Sequence, residues 1–130
     1  MKMPDTIYLD HNASTPVRPE VALAMQQALR DLGANPSSAH REGQRVRTAV
    51  EHAREQVAAL LGARPDEVVF TSGGTEANNA ALFGSAAARP DRTALLVSAV
   101  EHPSVSAPVQ ALRKAGHRLD IVPVDGNGAL

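Results

Sequence analysis

Between Pro19 and Leu32 the apolar residues Val21, Met25, Ala28, Leu29 and Leu32 recur with the 3.6-residue period of a helix. Pro19 suits the first turn of that helix and Gly33 its C-terminal cap. A second stripe, Val46, Val50, Ala53, Val57 and Leu61, predicts a helix from about Ser38 or Gly43 to Leu61, ended by Gly62. Its other face carries Arg45, Arg47, Glu51, Arg54 and Glu55 and reads as a solvated face. An Ala-rich helix is expected from about Thr75 to Ala87. A fourth runs from Pro103 to Ala115 with Val105, Val109 and Leu112 inward and Gly116 as its stop. Pro108 argues for a late start or a kink in that last helix.

The segments between these helices have a different pattern. Val68 to Thr71 is a short apolar, β-branched run and predicts a strand after a turn at Pro65-Asp66. Thr93 to Ala99 is continuously apolar, as in strands buried on both faces, and Leu119 to Val124 reads as a third strand. Thr6 to Leu9 is a short extended segment leading into a polar loop, Asp10 to Pro16, and Asn35 to Ser38 is a loop or turn. Alternating helices and strands predict an α/β protein with a mostly parallel sheet, flanking helices and right-handed crossovers. There is no internal repeat and no low-complexity linker.

Composition narrows the function classes. The chain has 130 residues, one domain's length, with 43% hydrophobic and 21% charged residues. A formal net charge of -1 with scattered Lys and Arg gives no case for nucleic acid or an anionic membrane surface. No apolar run approaches the length of a membrane span or a signal peptide, so the location is expected to be cytoplasmic. The absence of Cys excludes a disulfide, a thiolate metal site and a thiol nucleophile within these residues. The only aromatic residues are Tyr8, Phe70 and Phe83, so the core is built from Val, Leu, Ile and Ala. The stretch from His117 to Leu130 runs through a strand into a turn and begins something new, which reads as the N-terminal piece of a larger protein.

Two expected strand ends carry polar groups, and in open α/β sheets ligands gather beyond such ends. The first is Thr71-Ser72-Gly73-Gly74-Thr75. Backbone N–H groups at a helix start, with the positive end of its dipole, attract anions, and two glycines let a phosphate approach the backbone. Thr75 adds a hydroxyl donor, and Glu76 in the first turn suits the dipole. The string matches neither G-x-G-x-x-G nor the P-loop, and a glycine turn that binds nothing shows the same local pattern. The second end carries Glu101, His102 and Ser104. An imidazole there stacks on a flat ring, donates to a substrate or shuttles a proton, or else merely starts a helix. Glu101 reads as a helix-start carboxylate, and His40, His52 and His117 as exposed. His11 reads as a loop histidine, and the Asn78/Asn79 pair as structural caps or cross-links.

Four segments together resemble one family. Ile7 to Pro16 (IYLDHNASTP), Ala34 to His40 (ANPSSAH), Phe70 to Asn79 (FTSGGTEANN) and Val100 to Val105 (VEHPSV) look like the N-terminal part of a cysteine desulfurase. These are pyridoxal-phosphate enzymes of the class V aminotransferase group, fold type I. The glycine turn is more similar to the housekeeping and nitrogen-fixation group than to members with an FTRGTTE-like turn. The resemblance implies that residues 1–15 belong with the small domain and residues 16–130 form the first part of the cofactor-binding large domain. It implies that Gly74 and Thr75 hold the phosphate of pyridoxal 5'-phosphate and that His102 stacks on its pyridine ring and assists proton transfers. Asn35, with the loop around His11 to Ser14, is implied to lie near the substrate. L-cysteine is the implied substrate, L-alanine and an enzyme persulfide the products. A sulfur acceptor or scaffold protein and a second copy of the chain, in a homodimer, are the implied partners.

The departures matter as much. Family chemistry needs a Schiff-base Lys, an Asp beside the pyridine nitrogen and a loop Cys. The only lysines here are Lys2 and Lys114, neither at the family position, and there is no Cys. The chain alone is therefore expected to be inactive. The competing readings are a non-catalytic partner or regulator derived from a desulfurase, another class V aminotransferase or lyase, and a plain phosphate-binding α/β module. Coexistence of Thr75 and His102 favours the enzyme. Val68 to Phe70 and Ala94 to Val97 are expected to expose apolar strand edges without ladder partners, leaving the isolated chain partly molten or associated.

Overall fold

The computed structural model describes residues 7–129. The expectations that touch residues 1–6 and 130 lie outside the described residues. The chain divides into two compact units, Met1–Val68 and Val69–Leu130.

The first unit holds two helices. Helix α1 spans Pro19–Asp31, with Pro19 in its first turn, Glu20 near its positive end and Arg30 near its negative end. None of its residues is buried, and Val21, Met25 and Leu29 on the apolar stripe are exposed. Helix α2 spans Arg41–Leu61. It starts between the two expected positions because His40 caps it, the ring Nδ1 accepting the Gly43 N–H at 3.2 Å. It ends at Gly62, whose φ of 65° lies in the left-handed region where a side chain is strained. Val46 and Ala58 are buried on its apolar face. A 3-10 turn, Pro65–Glu67, follows, and the Glu67 carboxylate accepts the Arg64 N–H at 2.8 Å.

The expected strand at Val68 to Thr71 does not form. The Val68 N–H donates to the Pro65 carbonyl, and the Val68 carbonyl accepts the Arg54 guanidinium, so these groups are used locally rather than in a ladder. β-branched residues favour extended backbone, but a strand also needs a neighbour to pair with.

The second unit is an α/β assembly. Helix α3 spans Gly74–Ala88 and packs on helix α4, Pro103–Lys114. Strands β1, Ala94–Ser98, and β2, Arg118–Val122, flank α4 in sequence and pair in parallel, Ala94 opposite Arg118 through Ser98 opposite Val122. Among the described residues the sheet has these two strands, so the segment expected as the third strand is the second. The pairing also corrects the expectation that Ala94 to Val97 lacks a ladder partner. The apolar run is not buried on both faces: Leu96 is 70% exposed, because one sheet face has no cover within this unit. Helix α4 begins at Pro103 with Pro108 inside it, so Pro108 does not delay the start. Val109 and Leu112 are buried and Val105 is half-buried, as the period predicts. The architecture is an incomplete α/β domain with a small parallel sheet and helices beside it.

Candidate functional site

The glycine turn opens α3. Gly73 is its N-cap and Gly74 its first residue, and the Ala77 N–H donates to the Gly73 carbonyl at 3.1 Å. The amides of Gly74, Thr75 and Glu76 therefore have no carbonyl behind them within the helix and point out of its positive end. A Cβ built on Gly73 or Gly74 would meet nothing within 4 Å, so the space in front of those amides is open. Neither glycine has a positive φ that demands it; Gly73, at 165°, is extended backbone open to any residue. Neither the backbone angle nor a crowding neighbour among the described residues therefore calls for glycine at these two positions.

The turn is braced from behind. The Glu76 carboxylate accepts both the backbone N–H and the hydroxyl of Ser72, each at 2.7 Å. Those two donors hold the Glu76 carboxyl below its ordinary 4.5, the backbone bond contributing most. The carboxylate is thus tied back to Ser72. The Thr75 carbonyl accepts from Asn79 at 2.8 Å, and the exposed Thr75 hydroxyl makes no hydrogen bond to a described residue.

His102 is the N-cap of α4. Its Nδ1 accepts the Ser104 N–H at 3.1 Å and lies 2.8 Å from the Ser104 hydroxyl oxygen. Asn78, one turn beyond Gly74 on α3, donates to the same oxygen at 2.8 Å. A bonded path therefore runs from Asn78, one turn into α3, through Ser104 to His102. The structure places Gly74 and Thr75 at the start of α3 and His102 at the start of α4, two helices that pack together, although no strand among the described residues precedes the first. The Asn78/Asn79 pair is structural, as expected, though Ser104 as the far end of the cross-link is not written in any local pattern.

Asn35 lies in the first unit. Its Oδ1 accepts the Ser37 N–H at 2.8 Å and its carbonyl accepts the Ser38 N–H at 3.0 Å, a tight turn. Three side chains of α2 hold this loop and the end of α1: Gln44 bonds the Ser38 carbonyl, Arg47 the Pro36 carbonyl and Arg45 the Asp31 carbonyl. Gly43 is buried beneath it, and a Cβ there would stand 2.5 Å from the Ser38 oxygen and 2.8 Å from the Asn35 oxygen. In the N-terminal loop His11 meets Tyr8 edge-on, ring centroids 5.0 Å apart, while the Tyr8 hydroxyl donates to the Asp10 carbonyl and bonds Ser14. His117 is half-buried rather than exposed. Its backbone N–H donates to the Leu112 carbonyl at 3.1 Å, and its ring Nδ1 is buried with no hydrogen-bond partner among the described residues.

Comparison with known proteins shows the family. The family model for aminotransferase class-V matches residues 7–130. A cysteine desulfurase IscS of Dictyoglomus turgidum is 46% identical over 123 residues, which cover 94% of this chain and 31% of that protein. A cysteine desulfurase of a Frankia strain is 49% identical over 124 residues, 95% of this chain and 29% of that protein. Among solved structures, a NifS-like protein superposes with a TM-score of 0.78 at 36% identity, over 88% of this chain and 32% of that one. A structure described as SspA in complex with cysteine gives 0.81 at 39% identity, over 90% of this chain and 34% of that one. The chain thus spans about a third of the length of the relatives it matches. Over those residues it belongs to the class-V aminotransferase family.

Proposed function

We propose that this chain is the N-terminal portion of a pyridoxal-phosphate-dependent cysteine desulfurase. Residues 16–130 then form the first part of the cofactor-binding domain, and residues 1–15 belong with the small domain. The observation that carries the reading is that α3, which opens on the glycine turn, is tied through Asn78 and Ser104 to His102 at the start of α4. The donor set suits the group: free first-turn amides and the Thr75 hydroxyl for a phosphate, with no side chain on Gly73 or Gly74 in the way.

In the polypeptide of its relatives' full length, Gly74 and Thr75 hold the phosphate through backbone amides and the hydroxyl. His102 lies against the pyridine ring and carries protons at its outward nitrogen. Asn35, fixed by its own turn, contacts the substrate. Pyridoxal phosphate, when bound, supplies an electron sink for chemistry at the substrate's α-carbon. Relatives named as cysteine desulfurases, and a neighbouring structure described with cysteine, support L-cysteine as substrate, with L-alanine and an enzyme persulfide as products. A sulfur acceptor or scaffold protein, as in iron–sulfur cluster assembly, and a second copy of the chain are the partners of this reading, in the cytoplasm. No helix among the described residues is long and apolar enough to cross a membrane.

These 130 residues hold no Cys and only Lys2 and Lys114, so this portion alone does not turn over. Mixed with pyridoxal phosphate and borohydride, it should give no stoichiometric adduct; one mapped to Lys114 would overturn that. The full-length polypeptide should release alanine from L-cysteine. There His102→Gln should slow turnover by about 10²–10⁴-fold, the usual range for a general acid–base group, and alter the cofactor spectrum. Unchanged rate and spectrum would return His102 to a plain helix cap.

A further inference from the structure

A neutral imidazole has two tautomers, and the bonds around His102 distinguish them. A backbone N–H only donates, so the Ser104 N–H, 3.1 Å from Nδ1, requires a lone pair on that nitrogen. An amide nitrogen also only donates, so Asn78 Nδ2, 2.8 Å from the Ser104 oxygen, takes a lone pair there. A hydroxyl oxygen has a second lone pair, so that bond alone does not direct the proton. The Ser104 N–H, having made Nδ1 an acceptor, leaves the hydroxyl to donate to Nδ1 at 2.8 Å, the two donors sharing one lone pair. The ring proton is left on Nε2.

We infer that Asn78 and the Ser104 hydroxyl are positioning groups: they set a second donor on Nδ1 beside the Ser104 N–H, and the tautomer with the proton on Nε2 depends on both donors. Ser104 is buried at 8% exposure, so water competes poorly for its hydroxyl. Nδ1 is committed to α4, and Nε2 is the nitrogen that exchanges a proton with a ligand. The tautomer follows from the geometry alone; its consequence for turnover rests on the desulfurase reading. A plain helix cap would not need the Asn78 bond, which comes from another helix.

The test is ring-nitrogen NMR of the full-length polypeptide labelled with ¹⁵N-histidine, the His102 signals assigned by their loss in His102→Gln. In the native protein Nδ1 should give the far-downfield signal of an unprotonated ring nitrogen. Asn78→Asp is nearly isosteric, but its carboxylate only accepts. It should draw the Ser104 proton away from His102 and turn an oxygen lone pair toward Nδ1, raising the share of the Nδ1–H form against the Ser104 N–H that still favours the other. Ser104→Thr keeps a hydroxyl and should retain the native signals, whereas Ser104→Ala should mix the tautomers. Alanine formation should fall about 10²-fold in Asn78→Asp, the scale of a mis-set acid–base group. Native Nδ1 signals in both Asn78→Asp and Ser104→Ala would overturn the proposal, whatever the rates. A tautomer that shifts in a protein that never makes alanine would uphold the lock and sink the desulfurase reading instead.

Discussion

Gly43, in the first turn of α2, is buried, and a Cβ on it would stand 2.5 Å from the Ser38 carbonyl oxygen and 2.7 Å from the Ser38 Cβ. Gly74, the first residue of α3, has nothing within 4 Å of the same position. Both open helices that lie behind a loop carrying candidate site residues, and neither has a positive φ. At Gly43 the chain itself fills the missing side chain's place, locking the Asn35 turn onto α2. At Gly74 the missing side chain's place is empty among the described residues, which leaves room for the phosphate that the proposed function puts there. A glycine crowded by its own protein marks a positioning contact, whereas an open glycine at a helix start is what a phosphate site of the proposed kind needs.

The largest expected effect concerns where this contrast can be measured. Among the described residues sixteen large apolar side chains are exposed, including Ile7, Leu9, Leu29, Leu60, Val69 and Leu96, against four buried hydrophobic ones. The chain by itself should bind a hydrophobic dye strongly, associate as its concentration rises and melt without a sharp transition. A concentration-independent, cooperative melt of a monomer would refute this. The glycine comparison therefore belongs in the full-length polypeptide without cofactor. There Gly43→Ala should cost about 1–3 kcal/mol or more in denaturant unfolding, the cost of overpacking against backbone that cannot retreat. Gly74→Ala should leave stability unchanged or raise it by up to about 1 kcal/mol, since helical backbone accepts alanine. Gly74→Val should instead be defective in binding pyridoxal phosphate. Equal losses of stability at both positions would break the comparison.

The four helices were legible because their signals are local. Pro19 and Gly62 mark ends that the structure keeps, and the stripes containing Val46 and Val109 meet their cores. The strand expected at Val68 to Thr71 shows the limit. Its residues favour extension, but a ladder partner is a property of other parts of a chain. At the site, Gly74, Thr75 and His102 were readable from residue type and position at element ends. The Asn78–Ser104 bond joins residues 26 apart and was not, since neither sequence neighbourhood names the other. Gly43 escaped notice for the same reason: what crowds it is the carbonyls of Asn35 and Ser38, groups every residue has.

The next two effects sharpen the contrast by separating binding from positioning. Thr75→Ala in the full-length polypeptide should weaken pyridoxal phosphate binding by about 1–3 kcal/mol, the range for one charge-assisted hydrogen bond, with unfolding unchanged. Binding should not vanish, because the amides remain. On the other side, Arg47 holds the Pro36 carbonyl at 3.0 Å. Arg47→Met should destabilise by about 0.5–1.5 kcal/mol, the net value of one such bond, at unchanged cofactor affinity. A cofactor defect in Arg47→Met, or an unfolding defect in Thr75→Ala, would mean that the two loops are not divided as the glycines suggest.

The smallest effect is a pH response confined to the open turn. The Ser72 N–H and hydroxyl favour the charged form of Glu76, so its folded pKa lies below its ordinary 4.5. A group lowered in this way stabilises the folded state above its unfolded value. That contribution is lost as pH falls below 4.5 through the folded value. The Glu76 carboxyl is fully exposed, so the response should be local and partly screened by salt. A ¹³C titration of the full-length polypeptide should place the Glu76 midpoint below 4.5, with the Ser72 amide signal moving in step. Ser72→Ala removes one of the two donors and should raise the midpoint part of the way back. Glu76→Gln keeps an acceptor for Ser72 and should abolish the pH response of that amide. The Asn35 turn, held by Arg47 and by backbone donors rather than by a carboxylate, should not move over the same range. A Glu76 midpoint at or above 4.5, or a parallel shift at Asn35, would show that the brace behind the open turn is not what holds it.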